Sequence, residues 1–105
     1  MEFIETDNFT KRVVILLKDE QYLELQKALI KNPALGRLIP GFKGIRKLRW
    51  GTSTKGKRGG IRIIYYWHLT KSIILMLYVY NKSQMGDMGR RQLRQLICYV
   101  MGGAV

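Results

Sequence analysis

The middle of this chain has no acid. Between Leu25 and Gly86 there is neither Asp nor Glu, although the stretch holds thirteen Lys and Arg. Six of the seven acids (Glu2, Glu5, Asp7, Asp19, Glu20 and Glu24) lie in the first 24 residues, and the seventh is Asp87. Paired carboxylates for glycosidase-type acid and base chemistry are therefore lacking where the chain is most basic. One His and one Cys cannot furnish a zinc site, which needs about four ligands, so no metal and no cofactor is expected. The single Cys98 cannot close an internal disulfide, which fits a reducing compartment. Long apolar runs are missing too. The longest, Ile73 to Tyr80, falls far short of the roughly 20 residues that cross a membrane, so no membrane partner is expected. The start, Met1-Glu2-Phe3-Ile4-Glu5, is acidic where an export signal would be basic, and a cytoplasmic protein is expected.

What is present is positive charge on a foldable chain. Of 105 residues 47% are hydrophobic, enough for one core, and a single domain spanning 1–105 is expected. Nineteen Lys and Arg against seven acids leave a net charge of +12. A field of one sign repels itself in a compact domain, and a solvated surface ordinarily mixes both signs. A polyanion, RNA above all, is the natural partner.

The periodicities outline the elements. Phe3 to Glu5 reads as a short strand, and Thr6, Asp7 or Asn8 can cap a helix over Phe9 to Leu17. A second helix from near Asp19 puts Tyr22, Leu25 and Leu29 on one face and stops at Asn32-Pro33. Pro33 to Gly44, with both prolines and three glycines, reads as a loop. Strands follow at Ile45 to Trp50, Ile61 to Leu69 and Ile73 to Asn81, rich in Ile, Tyr, Trp and Val. Asp87 can cap a last helix in which Leu93, Leu96, Ile97, Val100 and Met101 recur at buried-face spacing. The expected fold is α+β: a mostly antiparallel four-stranded sheet, two N-terminal helices on one face, and a C-terminal helix.

Strand alternation sorts the side chains. Lys47 and Arg49 point opposite to Leu48 and Trp50, and Arg62, Ile64, Tyr66 and His68 point opposite to Ile61, Ile63, Tyr65 and Trp67. A partly covered face presenting Lys47, Arg49, Arg62 and Tyr66 together follows. The third strand is apolar on both faces and is expected to be covered on both. The hairpin loop Gly51-Thr52-Ser53-Thr54-Lys55-Gly56-Lys57-Arg58 matches part of a phosphate-binding P-loop. Arg58, however, stands where Ser or Thr must hold magnesium, and a strand follows instead of a helix. It reads instead as a cationic loop in which Lys55, Lys57 and Arg58 can follow phosphates. Cys98 beside the last apolar stripe reads as a packing residue, and His68 as a structural or surface one.

Four segments in order carry a resemblance. Asn32-Pro33-Ala34-Leu35-Gly36, Gly44-Ile45-Arg46-Lys47-Leu48-Arg49, Lys55-Gly56-Lys57-Arg58-Gly59-Gly60-Ile61-Arg62-Ile63-Ile64-Tyr65-Tyr66 and Tyr78-Val79-Tyr80-Asn81-Lys82 resemble the HigB branch of the RelE toxins. The resemblance implies the toxin of a type II toxin–antitoxin pair. It would be a metal-independent endoribonuclease that enters the ribosomal A site and cuts mRNA by attack of the ribose 2′-OH on the adjacent phosphate. The family's basic sheet residues map onto Lys47, Arg49 and Arg62, and a further cationic position falls nearest Lys82. Arg62 suits bidentate phosphate contact best. Arg46, Tyr66, Lys55, Lys57 and Arg58 are further RNA-binding candidates. So are Arg90, Arg91 and Arg94, cations in the first turns of the last helix that oppose its dipole.

The implied partners are mRNA and ribosomal RNA on the ribosome, and an acidic antitoxin carrying a helix-turn-helix DNA-binding domain. This chain departs from the pattern in two ways. No Tyr or His follows Tyr80 until Tyr99, and Gln84 stands where many close relatives place an acid. The general base is therefore open between Lys47, Lys82 and Asp87. Two alternatives stay open at this level: a ParE-like toxin that inhibits DNA gyrase without cutting nucleic acid, and a non-catalytic RNA- or ribosome-binding protein.

Overall fold

The computed structural model describes residues 1–51, 60–85 and 88–100. Along the chain come strand β1 (Glu2–Glu5), helices α1 (Asp7–Leu16) and α2 (Asp19–Lys31), and strands β2 (Arg37–Leu38), β3 (Ile45–Trp50), β4 (Ile61–His68) and β5 (Ile73–Asn81). A short helix α3 (Lys82–Met85) and helix α4 (Arg90–Val100) follow. The sheet order is β1-β5-β4-β3-β2. Only the β1–β5 pairing is parallel.

Local chemistry sets the helix ends. Thr6 stays extended and its hydroxyl accepts from the Phe9 amide at 3.1 Å, closing the N-terminus of α1. The same hydroxyl donates to the Leu77 carbonyl at 2.9 Å, so the cap also docks the helix on β5. β1 pairs with β5 only from Ile73 to Met76, and Arg12 takes over part of the edge beyond. Its Nε donates to the Val79 carbonyl at 2.7 Å while its guanidinium lies 4.9 Å from the Tyr78 ring centre. The backbone of α2 ends at Asn32, directly before Pro33.

The sheet is buried on both faces. Phe9, Val13 and Leu17 with Leu25 and Leu29 cover Leu48, Ile61, Ile63, Tyr65, Ile74, Met76 and Val79 on one side. Leu93 and Leu96 of α4 cover Ile45, Ile64, Leu77 and Tyr80 on the other, with Phe42 completing that cluster. Each fully buried leucine in these layers contributes about 1.5–3 kcal/mol. The faces of β3 and β4 follow the alternation; β5 is packed on both sides as its composition requires, with a register irregularity that puts Leu77 and Tyr78 on the same side.

Two elements differ from the sequence expectation. A fifth strand, β2, lies inside the Pro33–Gly44 loop, where Arg37 pairs with Lys47 and Leu38 with Arg46. Its two residues are too few to produce a period of two. The other is α3, which begins at Lys82 directly after β5. The expected helix cap Asp87 lies outside the described residues. Among the described residues, no helix is long and apolar enough to cross a membrane.

Candidate functional site

α4 covers only part of its face of the sheet. At the open corner Arg37, Lys47, Arg49, Arg62 and Lys82 line one cleft of about 580 Å³, together with Leu35 and Leu48. Among the described residues, no acid lines it. β3 supplies Lys47 and Arg49, which share a face because they are two residues apart. β4 supplies Arg62, directly opposite Arg49 in the antiparallel register. Arg37 of β2 stands directly opposite Lys47. Like charges directly opposite across a ladder cost on the order of 0.2–1 kcal/mol a pair. The fold therefore holds two such pairs in one place against their repulsion.

Arg62 is 7% exposed, the one buried charged residue among the described residues. Burying a guanidinium is expensive unless its donors are used. Its Nη1 donates to the Gly60 carbonyl at 2.9 Å. That carbonyl also accepts from the Lys82 amide at 3.4 Å. One backbone oxygen at the mouth of β4 thus gathers both the buried arginine and the start of α3. The fork of Arg62 is held from behind, at the floor of the cleft, while Lys82 is exposed at its rim.

A second set of bonds fixes the wall that carries Arg37. The Tyr65 hydroxyl donates to the Pro33 carbonyl at 2.7 Å and accepts from the Gly36 amide at 2.8 Å. Arg46 Nη1 donates to the Gly36 carbonyl at 2.8 Å. Burial raises the Tyr65 phenol above its ordinary range, opposed by the Gly36 amide and by the Arg46 charge. A Cβ at Gly36 would lie 2.9 Å from Tyr65 Cε1 and 3.1 Å from the Lys47 carbonyl. This close approach is why a glycine is needed there.

The cleft brings together all four expected catalytic candidates, Arg62, Lys47, Arg49 and Lys82. Other candidates lie elsewhere. Arg46 is on the opposite face of β3, bound to the Pro33–Gly36 loop. Tyr66 shares the face of Arg62 but packs beside the α4 cluster, its ring edge-on to His68 with centres 6.1 Å apart. Arg90 lies 5.0 Å over the Phe42 ring, and Arg91 and Arg94 are exposed on α4. Lys55, Lys57 and Arg58 lie outside the described residues. Arg37 is the residue that sequence reasoning missed. It sits in a segment read as loop, and only the β2–β3 pairing brings it beside Lys47.

No protein-family model matches the chain. Among solved structures the chain is similar to the E. coli toxin RelE, in a double arginine-to-alanine mutant in the free state. The TM-score is 0.61 at 12% sequence identity, over 95% of this chain and 96% of that one. At such low identity the likeness lies in the backbone: from β1 to α4, this chain has the RelE fold.

Proposed function

We propose that this chain is the toxin of a type II toxin–antitoxin pair, a ribosome-dependent endoribonuclease of the HigB-like branch. The observation that carries the reading is the cleft in which five cations from three strands and α3 converge, with no acid among its described residues, on a RelE fold. Attack of a 2′-OH on the neighbouring phosphate passes through a pentavalent phosphorane with added negative charge. Preorganised cations aimed at that charge lower the barrier without reorganising during the reaction. Arg62, braced by the Gly60 carbonyl, is assigned to the scissile phosphate, where its fork suits two oxygens. Lys47, Arg49 and Arg37 hold the flanking backbone and bring the strand into line for attack. For proton transfer the candidates are Lys47 and Lys82 of the cleft, and Asp87.

The working place is the cytoplasm, with mRNA and ribosomal RNA as partners and an acidic antitoxin bearing a helix-turn-helix domain as the neutralising one. Opposed charge makes that last association salt-sensitive, with screening over about 8–10 Å. The test is to add the protein to a translating extract and map mRNA ends. Codon-phased cuts that require ribosomes, and vanish in Arg62→Ala, support the reading. Arrested translation without new ends would make the chain a binder, and gyrase-dependent DNA damage would favour ParE-like action.

A further inference from the structure

The opposite end of β4 carries a second pocket that the cleft does not use. The β3–β4 register stops at Ile45 and Tyr66, whereas β4 and β5 stay paired as far as His68 and Ile73. β3 is therefore two residues shorter than its neighbour at this end, and a notch of about 440 Å³ opens beside the last residues of β4. Three half-buried aromatic rings, Tyr66, Trp67 and His68, line it together with Lys43 and Arg46. No acid is in the lining.

Lys43 has the less expected backbone. Its φ is 57°, in the left-handed region, in a turn where Gly41 and Gly44 take 80° and 92°. Glycine occupies that region without penalty, whereas an L-residue with a Cβ is strained there. The turn thus holds a lysine at a position where glycine would be cheaper, and that lysine lines the pocket. Strain of this kind concentrates where a side chain is needed for contact with a ligand.

We infer that this notch is a second RNA subsite, which takes one unpaired base against the Tyr66–His68 aromatics and its phosphate against Lys43. The inference rests on the proposed action on RNA and extends it to a site away from the cutting cleft. Aromatic faces accept any base, and a cation beside them follows the backbone, the combination by which proteins hold single strands without reading sequence. Tyr66 and Arg62 share a face of β4 four residues apart, or about 13 Å at the rise of a strand. Ile64, buried under α4, separates them. A strand engaging both sites must therefore pass over α4, whose Arg90 stacks on Phe42 next to Lys43.

The test uses the full chain carrying Arg62→Ala to stop cleavage. Its probes are a single-stranded RNA octamer and an abasic ribose-phosphate octamer of equal length. Binding is followed by fluorescence anisotropy, and Tm is measured in parallel. His68→Ala should raise the Kd for the RNA octamer about tenfold, in the range for one lost base stack, and leave the abasic octamer unaffected. Lys43→Gly should weaken both probes severalfold while Tm stays close to the parent's, because relief of the left-handed strain offsets the added chain entropy. Equal affinity for the two octamers, or an unchanged Kd in both variants, would overturn the subsite. If the chain with Arg62 restored still cuts mRNA in that case, only the subsite falls. A chain that neither cuts mRNA nor binds the octamer would remove the proposed function as well.

Discussion

Replacing Gly36 with alanine tests how the cleft is built. The new Cβ would lie 2.9 Å from Tyr65 Cε1, 3.0 Å from its hydroxyl oxygen and 3.1 Å from the Lys47 carbonyl. None of these neighbours yields easily, since Tyr65 is fully buried and the carbonyl belongs to a paired strand. Overpacking of this kind costs about 1–3 kcal/mol. At roughly 4 °C per kcal/mol for a domain of this size, Tm should fall by about 4–12 °C. Gly51→Ala is the matched control, because a Cβ there meets nothing within 4 Å. The strain has a functional side too. It acts on the peptide next to Arg37 and on the carbonyl of Lys47, and it loosens the loop bonds that Tyr65 makes. Scanning calorimetry and mRNA end-mapping below the melting range should show Gly36→Ala both less stable and slower to cut. If Gly36→Ala melts with Gly51→Ala and cuts at the parent rate, the account of the Arg37 wall is wrong.

Three other outcomes follow from the same geometry. Arg37→Ala should slow cleavage by about tenfold while leaving the unfolding free energy within ~0.5 kcal/mol of the parent, because the residue is exposed and opposes Lys47; a full-rate variant would remove Arg37 from the site. Arg62→Met should lower cleavage by on the order of 10²–10³ while stability holds or rises, since an apolar side chain replaces a buried cation opposite Arg49; a loss above about 2 kcal/mol would instead mark Arg62 as a structural tie. Above pH ~10 the fold should weaken, because burial raises both Tyr65 and Tyr22, the latter aided by its hydrogen bond to Glu5. The unfolded chain releases these protons near pH 10 and the folded one keeps them, so stability is complete below that pH and falls as pH rises by at most about 1.4 kcal/mol per unit and tyrosine. Urea midpoints at pH 9 and 11, compared with Tyr22→Phe/Tyr65→Phe, check the sign.

How much of this was legible in the sequence depends on how local each feature is. β3 and β5 run over Ile45–Trp50 and Ile73–Asn81 as expected: β3 mixes apolar and basic residues and stops at Gly51, and the apolar β-branched and aromatic run of β5 stops at the polar segment after Asn81. The grouping of Lys47, Arg49 and Arg62 was also readable, since alternation within two strands joined as a hairpin fixes a shared face. Arg46 could have been separated from them by the same rule, for it alternates with Lys47 and falls with Leu48 and Trp50. Arg37 could not be placed this way. Its position depends on the pairing of a two-residue strand in a proline- and glycine-rich loop, stabilised by Tyr65 29 residues further on. Contacts set by tertiary distance leave no period in the sequence.

The cleft's position explains how a marginally stable domain can hold so much like charge in one place. The hydrophobic layers lie under α1 and α2 on one face and under α4 on the other, and the five cations occupy the corner that α4 leaves open. They lie outside the hydrophobic layers, and residues 25–86 contain no acid. Only Arg62 is taken out of water, and its burial is offset by a backbone carbonyl, which carries no charge to cancel the field that an incoming phosphate would meet. An aspartate in that place would stabilise the fold and weaken the cleft. The same choice bears on the chemistry: a site this rich in cations relies on aligned geometry and on stabilisation of the phosphorane. The scarcity of acids and the crowded cations are thus two sides of one arrangement, in which some stability is given up to keep positive charge facing the cleft.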